Sequence, residues 1–332
     1  MSEVRATWLD PAEAATRAAW AALIDTSPYR TPFAALAFGE ALTDALASSH
    51  GLRLRVAGLH DGDGHLVGGV LVYERRRGPY RLAVVPPLAS HTPVVLAEPL
   101  RDTDVHHRRS ALDTLLPFLE AEFHALAFHL HPAMHDVRAF VWAGYQAYPR
   151  YTYHAPLDAP EEMVRASSRG VKKHVRRDTP LFDVACGGHD WTAISGLMDE
   201  VFERQGSAPP LAHEQRDRLI GTLIEAELAY PFVLKPSGGG APEGVSVALA
   251  DGQVAHQWTG ASRPGPAMTL LTHAMRCHFY EVGLSALDLT GANMPTTAEF
   301  KRSFGATLTS YYRVERYVRP ELRALAQVRP FL

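Results

Sequence analysis

Cysteine is nearly absent: Cys186 and Cys277 are the two in 332 residues. Two thiols cannot build a disulfide framework or a four-cysteine zinc site, and their scarcity suits a reducing compartment. Long apolar runs are missing too. No stretch approaches the ~18 uninterrupted apolar residues of a membrane-spanning helix. The opening MSEVRATWLDPAEAATRAAW lacks the apolar core segment of a secretory signal. An excess of one charge is also lacking, since 33 Lys+Arg against 36 Asp+Glu leave a formal charge of −3. That balance excludes a uniformly basic nucleic-acid binder and leaves local patches open. G-x-S-x-G elbows, Walker loops and dinucleotide fingerprints do not occur. The expectation is a cytoplasmic chain without a membrane span.

What is present is an ordinary globular composition, 46% hydrophobic and 21% charged. The length suggests two domains, because single cores split beyond roughly 250–300 residues. Helical spacing of apolar residues predicts helices over 11–25, 31–48 and 108–124, with Thr31-Pro32 as cap and first residue. Strands are predicted at 52–59 and 66–75 around the turn Asp61-Gly62-Asp63-Gly64, then at 82–85, 94–97 and 127–130. The second half repeats this order: after the segment 151–157 come helices 160–178, 191–204 and 213–227, and strands 232–235, 244–249 and 254–259. Helix 266–282 ends at Gly283, followed by strand 286–289, helix 297–304 and strand 307–315. The fold class is therefore α/β (α+β), each half a mixed, mostly antiparallel sheet flanked by helices, with domains at 1–150 and 151–332.

Chemistry concentrates at three places. Residues 165–178 hold Arg165, Arg169, Lys172, Lys173, Arg176 and Arg177 against one acid, Asp178. On one continuous helix, 165, 169, 172 and 176 fall on one face, a stripe suited to a pyrophosphate or an RNA backbone. A solvated helix face is the plain alternative. Gln257-Trp258-Thr259-Gly260-Ala261, running on to Pro266, joins a strand to a helix. Its small residues let a backbone approach a ligand, and the helix start favours anions. Asp288-Leu289-Thr290-Gly291-Ala292-Asn293 turns off a strand end before Phe300-Lys301-Arg302-Ser303-Phe304-Gly305, where two phenylalanines anchor a helix that carries two cations. Histidine is plentiful at 17, but Pro132 argues against a helical His131/His135 pair, so no metal site is expected.

The run 288–295, then Phe300 to Gly305 and Tyr311-Tyr312, resembles the C-terminal part of Fem-type and related GNAT-like acyltransferases. Ser27-Pro28 with Thr31-Pro32-Phe33, Phe140 to Tyr145, the basic helix after Tyr151-Thr152-Tyr153, and Gln257 to Ala261 also match, in order along nearly the whole chain. The resemblance implies two tandem GNAT-like domains and transfer of an acyl or aminoacyl group to an amine. The donor would be aminoacyl-tRNA or an acyl-CoA as co-substrate, with no tightly bound cofactor, and the acceptor a small-molecule or peptide amine. Lys301 would stand beside the reacting carbonyl, with Asp288 or His256 as the base. Lys172 and Arg176 would contact an anion, tRNA included, and Gln257, Trp258, Gly260, Ala261, Asn293 and Arg302 would line the ligand. Two features depart from the family: Gly260-Ala-Ser-Arg-Pro-Gly265 replaces the usual pyrophosphate loop, and no helical hairpin with sustained heptads is present. A non-catalytic module binding an anionic metabolite or a protein, and a nucleic-acid binder using 165–177, are the competing readings.

Overall fold

The structure, a computed structural model, describes residues 4–97, 105–187, 192–204 and 206–326. In chain order its elements begin with β1 (Arg5–Leu9), α1 (Ala14–Thr26), α2 (Leu36–His50), β2 (Leu52–His60), β3 (Leu66–Arg77), β4 (Tyr80–Val84) and β5 (Val94–Leu96). Then come α3 (Val105–Glu120), β6 (Ala125–His129), α4 (Arg138–Trp142), β7 (Gln146–Pro156), α5 (Pro160–Ala166), α6 (Arg169–Asp178) and β8 (Phe182–Cys186). The rest is α7 (Ala193–Arg204), α8 (His213–Glu225), β9 (Ala229–Pro236), β10 (Gly244–Ala250), β11 (Val254–Ser262), α9 (Ala267–Glu281), β12 (Ala286–Asp288), α10 (Pro295–Arg302), β13 (Thr307–Tyr317) and α11 (Pro320–Ala326). Among the described residues no helix is long and apolar enough to cross a membrane.

By internal contacts the chain forms two units, Met1–Arg150 with Ser310–Leu332, and Tyr151–Thr309. The last strand departs from the division drawn at 151–332. From Arg313 to Tyr317 it pairs antiparallel with β6 of the first unit.

In the first unit β1, β2, β3 and β4 form an antiparallel meander, β6 lies parallel to β4, and β13 closes on β6. The β2–β3 turn follows its residues: Asp61 Oδ1 accepts from the amides of Asp63 and His65, and Gly64 takes φ +86°, which glycine adopts without strain. Leu112, Leu115, Leu116 and Leu119 of α3 make one stripe against Val70, Val72 and Phe128 of the sheet. Each such leucine contributes about 1.5–3 kcal/mol by leaving water.

The second unit has the same plan. Strands β8, β9, β10 and β11 form an antiparallel meander, α9 crosses over, β12 lies parallel to β11, and β7 pairs antiparallel with β12. Leu270, Leu271, Met275 and Phe279 of α9 pack with Phe232, Leu234 and Ala248. Each unit thus holds one parallel pair inside a mostly antiparallel sheet, with helices alongside, as the element order predicted.

Three local expectations need correction. The helix over 160–178 is two helices, because Ser167 and Ser168 leave helical geometry and Ser168 caps α6 by accepting from the Val171 amide. Arg165 therefore sits on a different helix from Lys172 and Arg176, and it pairs with Glu162 at 2.9 Å. Strand β11 runs to Ser262 and absorbs the first half of the predicted 260–265 loop. Thr31-Pro32 opens a short 3-10 turn ahead of α2, and the threonine makes no cap hydrogen bond.

Candidate functional site

The site is built where two strands of the second unit part. The parallel pairing of β11 and β12 covers Val254↔Ala286, Ala255↔Leu287 and His256↔Asp288, then stops. Beyond it β11 stays on β10 as far as Ser262, while the chain after β12 turns toward β7: Leu289 and Ala292 donate their amides to the carbonyls of Tyr153 and Tyr151. A bulge at Val247/Ala248 opposite Gln257 and Thr259 leaves Trp258 as the extra residue of β11. Such bulges re-aim side chains next to ligand sites. The gap between the parted strands is a cleft of about 470 Å³. Its walls include Gln257 to Ser262 of β11, Met268 of α9, Leu289 and Thr290, Phe300 and Lys301 of α10, and Val201 and Arg204 of α7.

The turn after β12 is strained. Thr290 and Gly291 have φ of +48° and +40°, both left-handed, and a β-branched residue there is an outlier costing about 1–3 kcal/mol. Every polar group of Thr290 is engaged. Its amide donates to Asp288 Oδ1 at 2.7 Å, its Oγ1 donates to the Gln257 carbonyl at 2.7 Å, and its own carbonyl accepts from Lys301 Nζ. The hydroxyl thus stitches the strands where their ladder ends. Nζ also donates to the Gly291 carbonyl at 2.7 Å. Burial pushes the Lys301 ammonium down to about 8, with the negative charge of Asp288 pulling the other way.

Asp288 has no exposed surface. Its Oδ1 also accepts from Thr152 Oγ1, and its Oδ2 lies 3.3 Å from His256 Nδ1 and 3.5 Å from His154 Nε2. Strand register sets this row, because Asp288 stands opposite His256 on one side and His154 on the other. Burial pushes His154 down, but the hydrogen bond and charge of Asp288 outweigh it and the imidazole is raised.

The chain just past α10 is fixed by a buried arginine. Arg276 of α9 donates to the carbonyls of Phe304 at 3.1 Å and Pro156 at 2.9 Å, with no carboxylate in ion-pair contact among the described residues. Burial lowers its guanidinium to about 10.

Lys301, Gln257, Trp258, Gly260 and Ala261 all line the cleft. Asp288 and His256 do not. They lie behind its wall, where Asp288 organises the turn that grips Lys301. Gly260 is small for its neighbour's sake, since a Cβ there would come 2.8 Å from the Val245 carbonyl and 2.9 Å from Ser246 Oγ. Asn293 is exposed and ties the turn to β7, accepting from the Tyr151 amide at 3.1 Å. Arg302 is exposed, and Lys172 and Arg176 lie on α6; none of the three lines the cleft. Among the described residues Arg169, Lys172, Lys173 and Arg176 have no acid within ion-pair distance, whereas Arg177 is bound to Asp178. Sequence reasoning missed Thr152, His154 and Thr290. The alternation of Thr152 and His154 along β7 and the turn-forming Asp-x-Thr-Gly were the available signals.

The gap between parallel strand ends presents β11 backbone to an extended ligand, and the grip on Lys301 fixes a cation or amine beside it. No protein-family model and no curated protein matches the sequence. Solved structures do match. FemX aligns over 98% of this chain and 100% of its own, with a TM-score of 0.70 at 12% identity. A tandem GNAT protein from the clavulanic acid biosynthesis pathway aligns over 96% and 99%, at 0.58 and 13%. The fold is that of Fem-type and tandem GNAT proteins. L-PGS from Bacillus licheniformis shares it over 88% of this chain and 96% of its own, at 0.52 and 12%. In this tandem GNAT fold the first unit completes its sheet with β13, which follows the whole second unit in sequence, and the second with β7, which opens that unit.

Proposed function

We propose that the protein is an N-acyltransferase that moves an acyl or aminoacyl group from an activated donor to a small-molecule or peptide amine. The observation that carries this reading is the cleft at the parted strands, with Lys301 held in its wall by two backbone carbonyls. An extended donor pairs with the free edge of β11 and brings its carbonyl to Lys301. The acceptor amine attacks, and the ammonium of Lys301 offsets the charge that develops on the carbonyl oxygen. Holding both reactants in this gap supplies the rest, since positioning alone removes much of a bimolecular barrier. The donor is an acyl-CoA or an aminoacyl-tRNA, taken as co-substrate with no tightly bound cofactor, and the site chemistry calls for no metal. Lys172 and Arg176, on the open face of α6, are candidate contacts for a phosphate-bearing partner. Arg302 and Asn293 act at the rim.

The test offers purified protein a panel of acyl-CoAs and aminoacyl-tRNAs with simple amines, and compares wild type with Lys301→Ala. A donor consumed by wild type and spared by the variant supports the reading. Equal turnover by both proteins refutes the role given to Lys301.

One observation favours a second reading. Because Arg263 donates its amide to the Glu243 carbonyl and Pro264 and Pro266 have no N–H, backbone amides that would cradle a pyrophosphate at the start of α9 are committed or missing. A fold kept for binding alone fits that loss. It predicts ligand affinity in calorimetry with no turnover on any donor.

A further inference from the structure

Lys301 is bound in a way that leaves one valence uncommitted. Nζ donates to the carbonyls of Thr290 and Gly291, meets no third acceptor among the described residues, and belongs to a side chain in the cleft wall. An ammonium in that grip keeps one N–H in hand. A neutral amine gives both its N–H groups to the same carbonyls and keeps its lone pair. Carbonyls only accept, so they hold either form, and the turn fixes where the remaining valence points. Asp288 and the Thr290 hydroxyl brace that turn, and Arg276 holds the Phe304 carbonyl just past α10.

We propose that Lys301 carries the proton of the reaction through this one valence, receiving it from the attacking amine and handing it to the leaving group. The inference rests on the acyltransferase reading and adds a step to it. The acceptor nitrogen forms its bond to the donor carbonyl carbon, giving a positively charged nitrogen and an oxyanion. Neutral Nζ takes one proton from that nitrogen, and the ammonium so formed faces the oxyanion. When the oxyanion collapses, the bond from carbon to sulfur or oxygen breaks. Its electron pair leaves with the departing atom, and Lys301 protonates it. The amide and the free thiol or hydroxyl are the products, and Lys301 returns to the neutral amine. Burial makes that neutral amine accessible near pH 8. The charged and titratable groups around Nζ are Asp288 behind the turn, with His154 and His256 on either side of it, Arg204 across the cleft on α7, and Glu299 and Arg302 on α10 itself.

Two measurements test the step. The chain has four lysines, so trace labelling with acetic anhydride from pH 6.5 to 10.5, read by mass spectrometry, reports each lone pair separately. Lys301 should reach half of its full reactivity near pH 8, with Lys172, Lys173 and Lys235 labelled in the same samples as internal references. A Lys301 protected from the anhydride at every pH overturns the proposal, because its lone pair would then not face the cleft. On whichever donor the panel accepts, kcat/KM should rise with pH to a plateau above 8. Lys301→Arg, a permanent cation of unchanged charge, should lose about 10²- to 10⁴-fold. A kcat/KM that falls above pH 8, with the arginine variant active, would leave Lys301 a fixed cation and sink the proton-carrying role. Anhydride labelling as expected with no turnover on any donor supports the open lone pair and counts against the acyltransferase reading instead.

Discussion

Replacing Lys301 with methionine should make the protein more stable at neutral pH. The ammonium is part-buried, its two partners are neutral carbonyls, and burial holds it near 8 against an ordinary 10.5. That gap corresponds to roughly 3 kcal/mol of cost for keeping the charge in place, or about 2–3 kcal/mol once water in the cleft is allowed for. The sign follows from proton counting. Below pH 8 the lysine is charged in both folded and unfolded chains, and the full cost is present. Between 8 and 10.5 the folded chain gives up its proton first, so wild-type stability rises with pH relative to the variant. Above 10.5 the cost is gone. Methionine matches the lysine stem in length, and the freed carbonyls of Thr290 and Gly291 can turn to solvent in the open cleft. Urea unfolding of both proteins at pH 7 and pH 10 measures the difference, and thermal melts should show the variant several degrees higher at pH 7 only. A variant less stable than wild type at pH 7, by the same margin as at pH 10, would refute the view of Lys301 as a charge held at a cost.

Other substitutions probe the rest of the site. Gly260→Ala should cost about 1–3 kcal/mol in urea unfolding, because the new methyl meets β10 backbone that has no room to yield. Thr290→Val keeps the left-handed strain and removes the hydroxyl bond to Gln257, for a loss of about 1–2 kcal/mol. Thr290→Gly also relieves the strain and should come out near neutral, so equal losses in the two variants would argue against strain at this turn. Asp288→Asn should lower the pKa of His154, read from its imidazole proton shifts in NMR. Because His154 is raised in the folded chain, its stabilising contribution is present below the ordinary histidine range and fades as pH climbs through the folded value. The variant should therefore lose more stability at pH 5.5 than at pH 8.5, and an equal loss at both would exclude that coupling.

Much of the fold could be read from the chain because its signals are local. The Asp61–Gly64 turn, the leucine stripe of α3 and the Gly283 helix stop each act through neighbours within a few residues. What escaped depends on distant pairing. Strand β1 forms because β2 is there to receive it, and β11 reaches Ser262 because β10 holds it past the point where composition suggests a loop. The site divided in the same way. Lys301 and Gln257 stood out by residue type and lie in the cleft wall. The strained Thr290 and the His154–Asp288–His256 row arise from register across three strands, and residue type says nothing of that. The basic stripe lost Arg165 for a local reason that could have been seen: paired serines at 167 and 168 favour a cap over a helix interior.

The placement of β13 bears on how the chain is made. Its partner β6 leaves the ribosome well before it, and Arg313 to Tyr317 emerge only after every strand of the second unit. Until they emerge the first unit carries an open edge at Ala125–His129, a row of unpaired amides and carbonyls of the kind that invites pairing with another chain. The second unit has all its own strands once residue 288 has emerged, so it can settle while the first still waits. The older half of the chain is the younger half of the fold. During that interval the exposed edge of β6 is the place where aggregation competes with folding.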